Sequence, residues 1–106
     1  MFKVMLVLYE REGADRTEAL RYWAEQHGPI AAKIPGLREY VQNHAVGAPD
    51  GNPPFLGIAE LYFDDEAAFG VGAGSEEFAA AIADLVNFAD ETKLPTAFVE
   101  PVTIAG

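Results

Sequence analysis

The sequence predicts a single α+β domain, residues 1–106, in which helices cover one side of a four-stranded antiparallel sheet. Three features carry this prediction: apolar strand-like segments near both ends, two segments with apolar residues at helical spacing, and turn-rich breaks between them. A chain of 106 residues is long enough for one hydrophobic core and leaves no room for a second domain.

The first strand and the first helix are predicted on either side of a polar turn. Residues 2–9 are apolar on both faces, which is typical of a strand buried on both sides. Asp15 followed by Glu18 predicts a helix start with reciprocal capping. Gly28 and Pro29 predict the helix end, with Gly28 in the left-handed conformation, so His27 is expected at a helix C-terminus.

The second half of the chain predicts a hairpin, a helix and a last strand. Residues 37–46 and 55–63 alternate as strands do, and a long turn-rich segment joins them as an antiparallel pair. The glycine-rich residues 70–74 predict a flexible connector before a helix that begins near Ser75. Residues 96–104 predict the final strand.

This order of elements is that of the ferredoxin-like split βαβ fold, whose right-handed crossovers place both helices on one side of the sheet. The other face would be bare although it carries apolar residues, so we expect a second copy to cover it and form a homodimeric α+β barrel. Strand alternation predicts which residues line its interior, away from the helices. They are Tyr40, Gln42, His44, Ile58, Glu60 and Tyr62.

Composition limits the expected partners. A net charge of -10 repels phosphates, which disfavours nucleic acids and anionic membranes. The chain has no Cys, so disulfides and thiolate metal sites are excluded. No apolar run reaches membrane-spanning length and no signal-like segment is visible, so we expect a cytoplasmic protein.

Several motifs together resemble one protein family. They are Tyr22-Trp23, His27-Gly28-Pro29, Pro35-Gly36-Leu37, the run from Tyr40 to Asn43 and the run from Glu60 to Asp64. In residue type and spacing they resemble the EthD family of dimeric α+β barrel proteins over most of the chain. The resemblance implies a homodimer, and related barrels include isomerases, dehydratases or decarboxylases, monooxygenases and haem-degrading proteins.

His27 is the predicted catalytic residue, because an imidazole titrates near neutrality and can serve as a general acid or base. The alternative is a structural role at a helix C-terminus. Glu60 is expected to have a raised pKa in apolar surroundings, or else to form a structural ion pair with Arg38 or another basic residue across the dimer. His44 would orient a substrate together with Tyr40 and Gln42, or serve as a hydrogen-bonded residue near a turn.

The predicted function is binding of a small apolar or aromatic metabolite, with cofactor-independent isomerisation, dehydration or decarboxylation. One alternative is a non-catalytic binding or accessory protein of a degradation pathway. Another is a haem-binding or monooxygenase-like barrel, which would need a histidine inside the barrel. No metal site is expected, because His27 and His44 lack the spacing of ligands on one helix.

Overall fold

The computed structural model describes residues 1–106, and its elements follow the predicted order. The strands are β1 (Phe2–Leu8), β2 (Glu39–His44), β3 (Gly57–Phe63) and β4 (Thr96–Val99). The helices are α1 (Arg16–Tyr22), a π turn (Trp23–His27), α2 (Gly28–Ala31), α3 (Glu66–Ala73), α4 (Glu76–Asp84) and a 3₁₀ turn (Leu85–Asn87). None of these helices has the length and apolar character that crossing a bilayer requires.

The four strands form one antiparallel sheet in the order β2-β3-β1-β4. This is the ferredoxin-like α+β fold that the sequence predicts. Helices pack on one face, where Val4, Leu8, Ala59, Leu61 and Phe63 are buried. We call the other face, which no helix covers, the open face.

Trp23 is the centre of the core, with no exposed surface. Its ring lies directly on β3 at Gly57, where an added Cβ atom would come within 2.5 Å of the ring and 2.2 Å of the Asn43 carbonyl oxygen. Ala59 follows on the same face of the strand. These small residues therefore allow the close helix–sheet packing that the sequence predicts.

The sequence predicts that the first helix ends at Gly28, but the helix continues past this residue. Gly28 has a φ of -51°, and the helix continues through the π turn into α2. Pro29 has no N–H and its ring crowds the carbonyl group four residues earlier, and the wider π turn accommodates both effects. His27 therefore lies inside a continuous helical segment, so its predicted position at a helix C-terminus is wrong.

The predicted N-terminal caps of the helices form, unlike the predicted helix end at Gly28. Asp15 accepts a hydrogen bond from the Glu18 backbone N–H at 3.3 Å, and Ser75 caps α4 through the Phe78 N–H at 3.1 Å. The reciprocal half of the predicted capping box does not form, because the Glu18 carboxylate pairs with Arg21 instead.

Two other boundaries differ from the prediction. The predicted flexible connector at residues 70–74 belongs mainly to α3, whose Gly72 packs so closely that an added Cβ would lie 2.7 Å from the Pro35 carbonyl oxygen. The last strand ends at Val99 and not at Ile104. Pro101 cannot donate a ladder hydrogen bond, and Ile104 is 90% exposed.

The predicted face of β2 is wrong. Residues directly opposite each other in an antiparallel pair share a face, and Tyr40, Gln42 and His44 lie opposite Leu61, Ala59 and Gly57 on the helix side. The other three predicted lining residues do lie on the open face, as expected: Ile58, Glu60 and Tyr62. Both faces of β2 carry polar residues, so alternation alone did not identify its buried face.

We predict that Gly57→Ala lowers the free energy of unfolding by about 1–3 kcal/mol or more, because the added methyl group overlaps the Trp23 ring and a backbone carbonyl. The matched control is Gly47→Ala, where nothing lies within 4 Å of the added atom. Urea denaturation measures both variants. Equal midpoints for the two would contradict the proposed packing.

Candidate functional site

A small cavity lies between the sheet and the helices, on the side opposite the open face. Its volume is about 40 Å³, enough for a few water molecules. Apolar side chains form most of its walls: Leu6, Leu8, Ala59 and Leu61 from the sheet, and Phe78, Ala81, Ile82 and Leu85 from α4 and the turn after it. His27, Tyr40 and the ring of Trp23 also line it, and His27 and Tyr40 are the polar residues of the lining.

The imidazole of His27 is held by Asp84. Its Nδ1 lies 2.9 Å from Asp84 Oδ2, and both side chains are about nine-tenths buried. The second carboxylate oxygen of Asp84 accepts hydrogen bonds from the Tyr22 hydroxyl at 2.7 Å and from Asn87 Nδ2 at 2.9 Å. The ring of Phe88 packs against the imidazole with 4.9 Å between centroids. The His27 ring is thus fixed on two sides.

The charge states of this pair follow from its surroundings. Burial lowers the pKa of His27, and the hydrogen bond to Asp84 offsets that effect only in part. Burial alone would raise the pKa of Asp84, but hydrogen bonds from Tyr22, Asn87 and His27 outweigh it and hold this pKa below its usual range. At neutral pH the pair is therefore a neutral imidazole beside a carboxylate.

This pairing also determines the tautomer of His27. A carboxylate only accepts hydrogen bonds, so Nδ1 carries the proton and donates to Asp84. Nε2 then has a free lone pair and makes no hydrogen bond within the protein. A neutral imidazole with its lone pair free beside an apolar cavity is the form of histidine that acts as a general base.

A second polar group forms on β2, on the helix side. Gln42 Nε2 lies 2.8 Å from the Trp23 carbonyl oxygen and 2.8 Å from the Tyr40 hydroxyl, and Gln42 Oε1 lies 2.8 Å from His44 Nε2. The His44 ring stacks on the Trp23 ring with centroids 4.7 Å apart. Burial raises the pKa of Tyr40 and lowers that of His44.

Glu60 lies apart from this site, on the open face. Its carboxylate receives hydrogen bonds from Lys3 at 2.5 Å, Asn43 at 2.7 Å and Tyr62 at 2.9 Å. The Lys3 hydrogen bond is the largest effect that lowers the pKa of Glu60, so the predicted raised pKa is wrong. Glu60 does form an ion pair, but with Lys3 of its own chain and not with Arg38, which binds Asp64.

The structure thus separates the predicted site residues into two groups. His27 and Tyr40 share the cavity, and Gln42 and His44 connect to it through hydrogen bonds and stacking. The remaining three lie across the sheet from it: Ile58, Glu60 and Tyr62. Both histidines lie on the helix side, so neither reaches the open face where a haem inside the barrel would need one.

Sequence reasoning missed Asp84. The available signal was its spacing, because it lies three residues after the buried Ala81 and four before the buried Phe88. An acidic residue at that helical spacing beside buried positions indicates a polar side chain with a buried partner. No group of three or more His, Asp or Glu side chains converges as metal ligands would.

The fold and the cavity define a small ferredoxin-like α+β protein with an apolar, histidine-containing pocket between its sheet and helices. The model of the EthD domain matches residues 11–92, so this chain belongs to the EthD family. It is also 31% identical over 90 residues to an uncharacterized 11.0 kDa protein in the thcB-thcC intergenic region of Rhodococcus erythropolis. That match covers 84% of each chain.

Solved structures show the same fold. An EthD family protein from Bacillus halodurans is 28% identical with a TM-score of 0.79, and the match covers 96% of this chain and 100% of that one. An EthD-like protein from Ralstonia eutropha is 20% identical with a TM-score of 0.73, with 98% and 94% covered. A dimeric ferredoxin-like protein of unknown function from Thermobifida fusca is 14% identical with a TM-score of 0.72, with 92% and 88% covered.

We predict that His27 makes folding stability fall on acidification. Its folded pKa lies below the unfolded value of about 6.5, so below about pH 6.5 the unfolded chain binds a proton that the folded chain does not. The contribution of neutral His27 is complete above that pH and is lost as the pH falls toward the folded pKa. His27→Gln should therefore lose less stability than the wild type between about pH 7.5 and pH 5.5.

Urea midpoints at the two pH values measure this effect. Other groups also titrate on acidification, His44 among them, so the difference between the wild type and His27→Gln is the informative quantity. The matched control is His44→Gln, because burial also lowers the pKa of His44, the second histidine of the chain. Identical pH dependence in the wild type and His27→Gln would show that His27 is not held neutral by burial.

Proposed function

We propose that this protein binds a small, largely apolar or aromatic metabolite in the cavity between sheet and helices and catalyses a cofactor-independent proton transfer there. His27 is the general acid and base. The observation that carries the proposal is the His27–Asp84 pair, which presents a neutral imidazole to an otherwise apolar cavity. Isomerisation, dehydration and decarboxylation all include a proton transfer that such a group accelerates.

Asp84 acts on the reaction through His27. Its carboxylate holds the imidazole in the tautomer with Nε2 unprotonated, and it stabilises the imidazolium that forms once Nε2 accepts a proton. Tyr22 and Asn87 fix Asp84 in turn, so the base does not need to reorient during the reaction. The apolar walls exclude water, which strengthens these electrostatic effects.

The cavity must widen for a metabolite to bind. Its volume of about 40 Å³ is well below the roughly 300–1,000 Å³ of typical ligand pockets. One wall is formed by α4, where Ile82 is 39% exposed and also lines the cavity. Outward movement of the Ile82 side chain would open the cavity without breaking sheet hydrogen bonds, and Asp84 at the C-terminal end of α4 would stay on His27.

We further propose that two copies associate through their open faces. In the single chain Met5, Val7, Val41 and Ile58 of that face are only half-buried, and no helix covers them. A two-fold axis would bury these apolar residues against each other. The Thermobifida fusca protein with the same fold is dimeric, which supports self-association of this chain.

We predict that the purified protein catalyses the ring-opening elimination of nitrobenzisoxazole. This generic aromatic probe opens its ring when a base removes its carbon-bound proton. His27→Gln should lower the rate by about 10²-fold or more, because it removes the base. The rate should rise with pH through the lowered pKa of His27 and then level off, since only the neutral imidazole accepts a proton. Absorbance of the phenolate product measures the reaction.

The control for this assay is Gln26→Ala, an exposed position one residue before His27. It should keep the wild-type rate and pH profile. Elimination at the wild-type rate in His27→Gln would refute the acid-base role. Binding of the probe without any elimination would favour the non-catalytic binding protein.

We predict that the wild type is a dimer in native mass spectrometry at micromolar concentration and that Ile58→Glu is a monomer. The introduced carboxylate would be buried against the second copy without a partner, which is strongly unfavourable. Val46→Glu, at a loop position that is 92% exposed, should remain dimeric. A monomeric wild type would refute the open-face dimer.

A further inference from the structure

Tyr22 and His27 bind the same carboxylate from the same helical segment. The Tyr22 hydroxyl donates to one oxygen of Asp84 at 2.7 Å, and His27 Nδ1 lies 2.9 Å from the other oxygen. The two residues are five positions apart in the chain. In an α-helix, with 3.6 residues per turn, side chains five positions apart point about 140° away from each other. A regular α-helix therefore does not present both side chains to one carboxylate.

The π turn makes this spacing compatible with a shared partner. Its Gly28 N–H donates to the Trp23 carbonyl oxygen five positions earlier, whereas an α-helix makes this bond over four positions. A turn closed by such a bond contains one more residue than an α-helical turn, so residues five positions apart lie on the same side of the segment. Tyr22 and His27 have this spacing, and both bind Asp84.

Pro29 is incompatible with an α-helix at this point of the chain. In an α-helix its ring would clash with the carbonyl group of Glu25, four positions earlier, and it has no N–H to donate to that group. Pro29 follows directly after Gly28, whose N–H closes the π turn. It is exposed and does not line the cavity. Its effect on the site therefore passes through the backbone.

We propose that Pro29 is a positioning residue for His27: it excludes the α-helical register and thereby holds Tyr22 and His27 together on Asp84. This inference rests on the proposed function and adds a residue to the same site. Pro29 contacts no reacting group and acts only through the width of the turn.

The α-helical register would turn His27 away from the site. Trp23 is completely buried against the sheet, so it fixes the start of the turn and keeps Tyr22 in place. The rotation would therefore fall on His27, whose Nδ1 would lose Asp84. The carboxylate sets the tautomer of this imidazole, so its loss would return His27 to the Nε2-protonated form that free histidine favours. Nε2 would then carry a proton and could not accept one from a ligand.

The test is Pro29→Ala, which restores the N–H and removes the ring. Nitrogen NMR of the labelled protein at about pH 8.5, where both histidines are neutral, reports the tautomer of each imidazole. His27 should carry its proton on Nδ1 in the wild type and lose that signature in Pro29→Ala. The rate of nitrobenzisoxazole elimination should fall about tenfold or more, because the base is misplaced. His44, which donates from Nε2 to Gln42, should show no change.

Deletion of Ala24 in the Pro29→Ala chain is the matched rescue. Ala24 is exposed, so its removal takes no side chain from the core. Tyr22 and His27 are then four positions apart, and side chains with that spacing share one side of an α-helix. Both the Nδ1 proton and the elimination rate should return. Shortening the turn would not reverse a general loss of stability.

Pro49→Ala, in an exposed turn, is the control for the loss of a proline. It should keep the wild-type tautomer of His27 and the wild-type rate. A wild-type tautomer in Pro29→Ala, or a rescue variant in which the Nδ1 proton stays absent, would overturn the inference.

The outcomes separate this inference from the function on which it rests. If the wild type performs no elimination and Pro29→Ala still changes the tautomer of His27, the acid-base role fails and the positioning role stands. The same conclusion follows if the tautomer changes and the elimination rate does not. If Pro29→Ala keeps both the wild-type tautomer and the wild-type rate, the positioning role fails and the acid-base role stands.

Discussion

The site depends on two hydrogen bonds to the main-chain carbonyl oxygen of Trp23. This oxygen accepts one from the Gly28 N–H, which closes the π turn, and one from Gln42 Nε2, which connects that turn to the sheet. The first hydrogen bond sets the direction in which His27 leaves the helix. The second holds β2 and the helix together at the edge of the cavity. One main-chain oxygen thus links the turn that carries His27 to the strand that carries Tyr40.

Sequence and structure agree wherever a signal is local. Asp15 and Ser75 cap their helices with their own side chains, and the order of strands and helices follows from hydrophobic periodicity and turn residues. The face of β2 depended on pairing with β3, which no local pattern encodes when both faces are polar. The His27–Asp84 hydrogen bond joins residues that are 57 positions apart, so only the folded chain brings them together.

Under the proposed function, one face of the sheet serves chemistry and the other serves association. The helix side holds the His27–Asp84 pair, the hydrogen bonds of Gln42 and the cavity, whereas the open face holds the Lys3–Glu60 network and half-buried apolar residues. Alternation along a strand makes this division possible, because neighbouring residues of β3 point to opposite sides. A change in one face therefore need not alter the other, which helps to explain why a single fold hosts many functions.

The closed cavity has a kinetic and energetic consequence. Under the proposed function, a molecule that reaches His27 waits for the cavity wall at Ile82 to move, so the association rate is limited by how often the protein opens and not by diffusion. The apparent affinity is the intrinsic affinity reduced by the open fraction. A ligand that binds weakly in a simple titration can therefore fit the open cavity well, with part of its binding free energy used to open the cavity wall at Ile82.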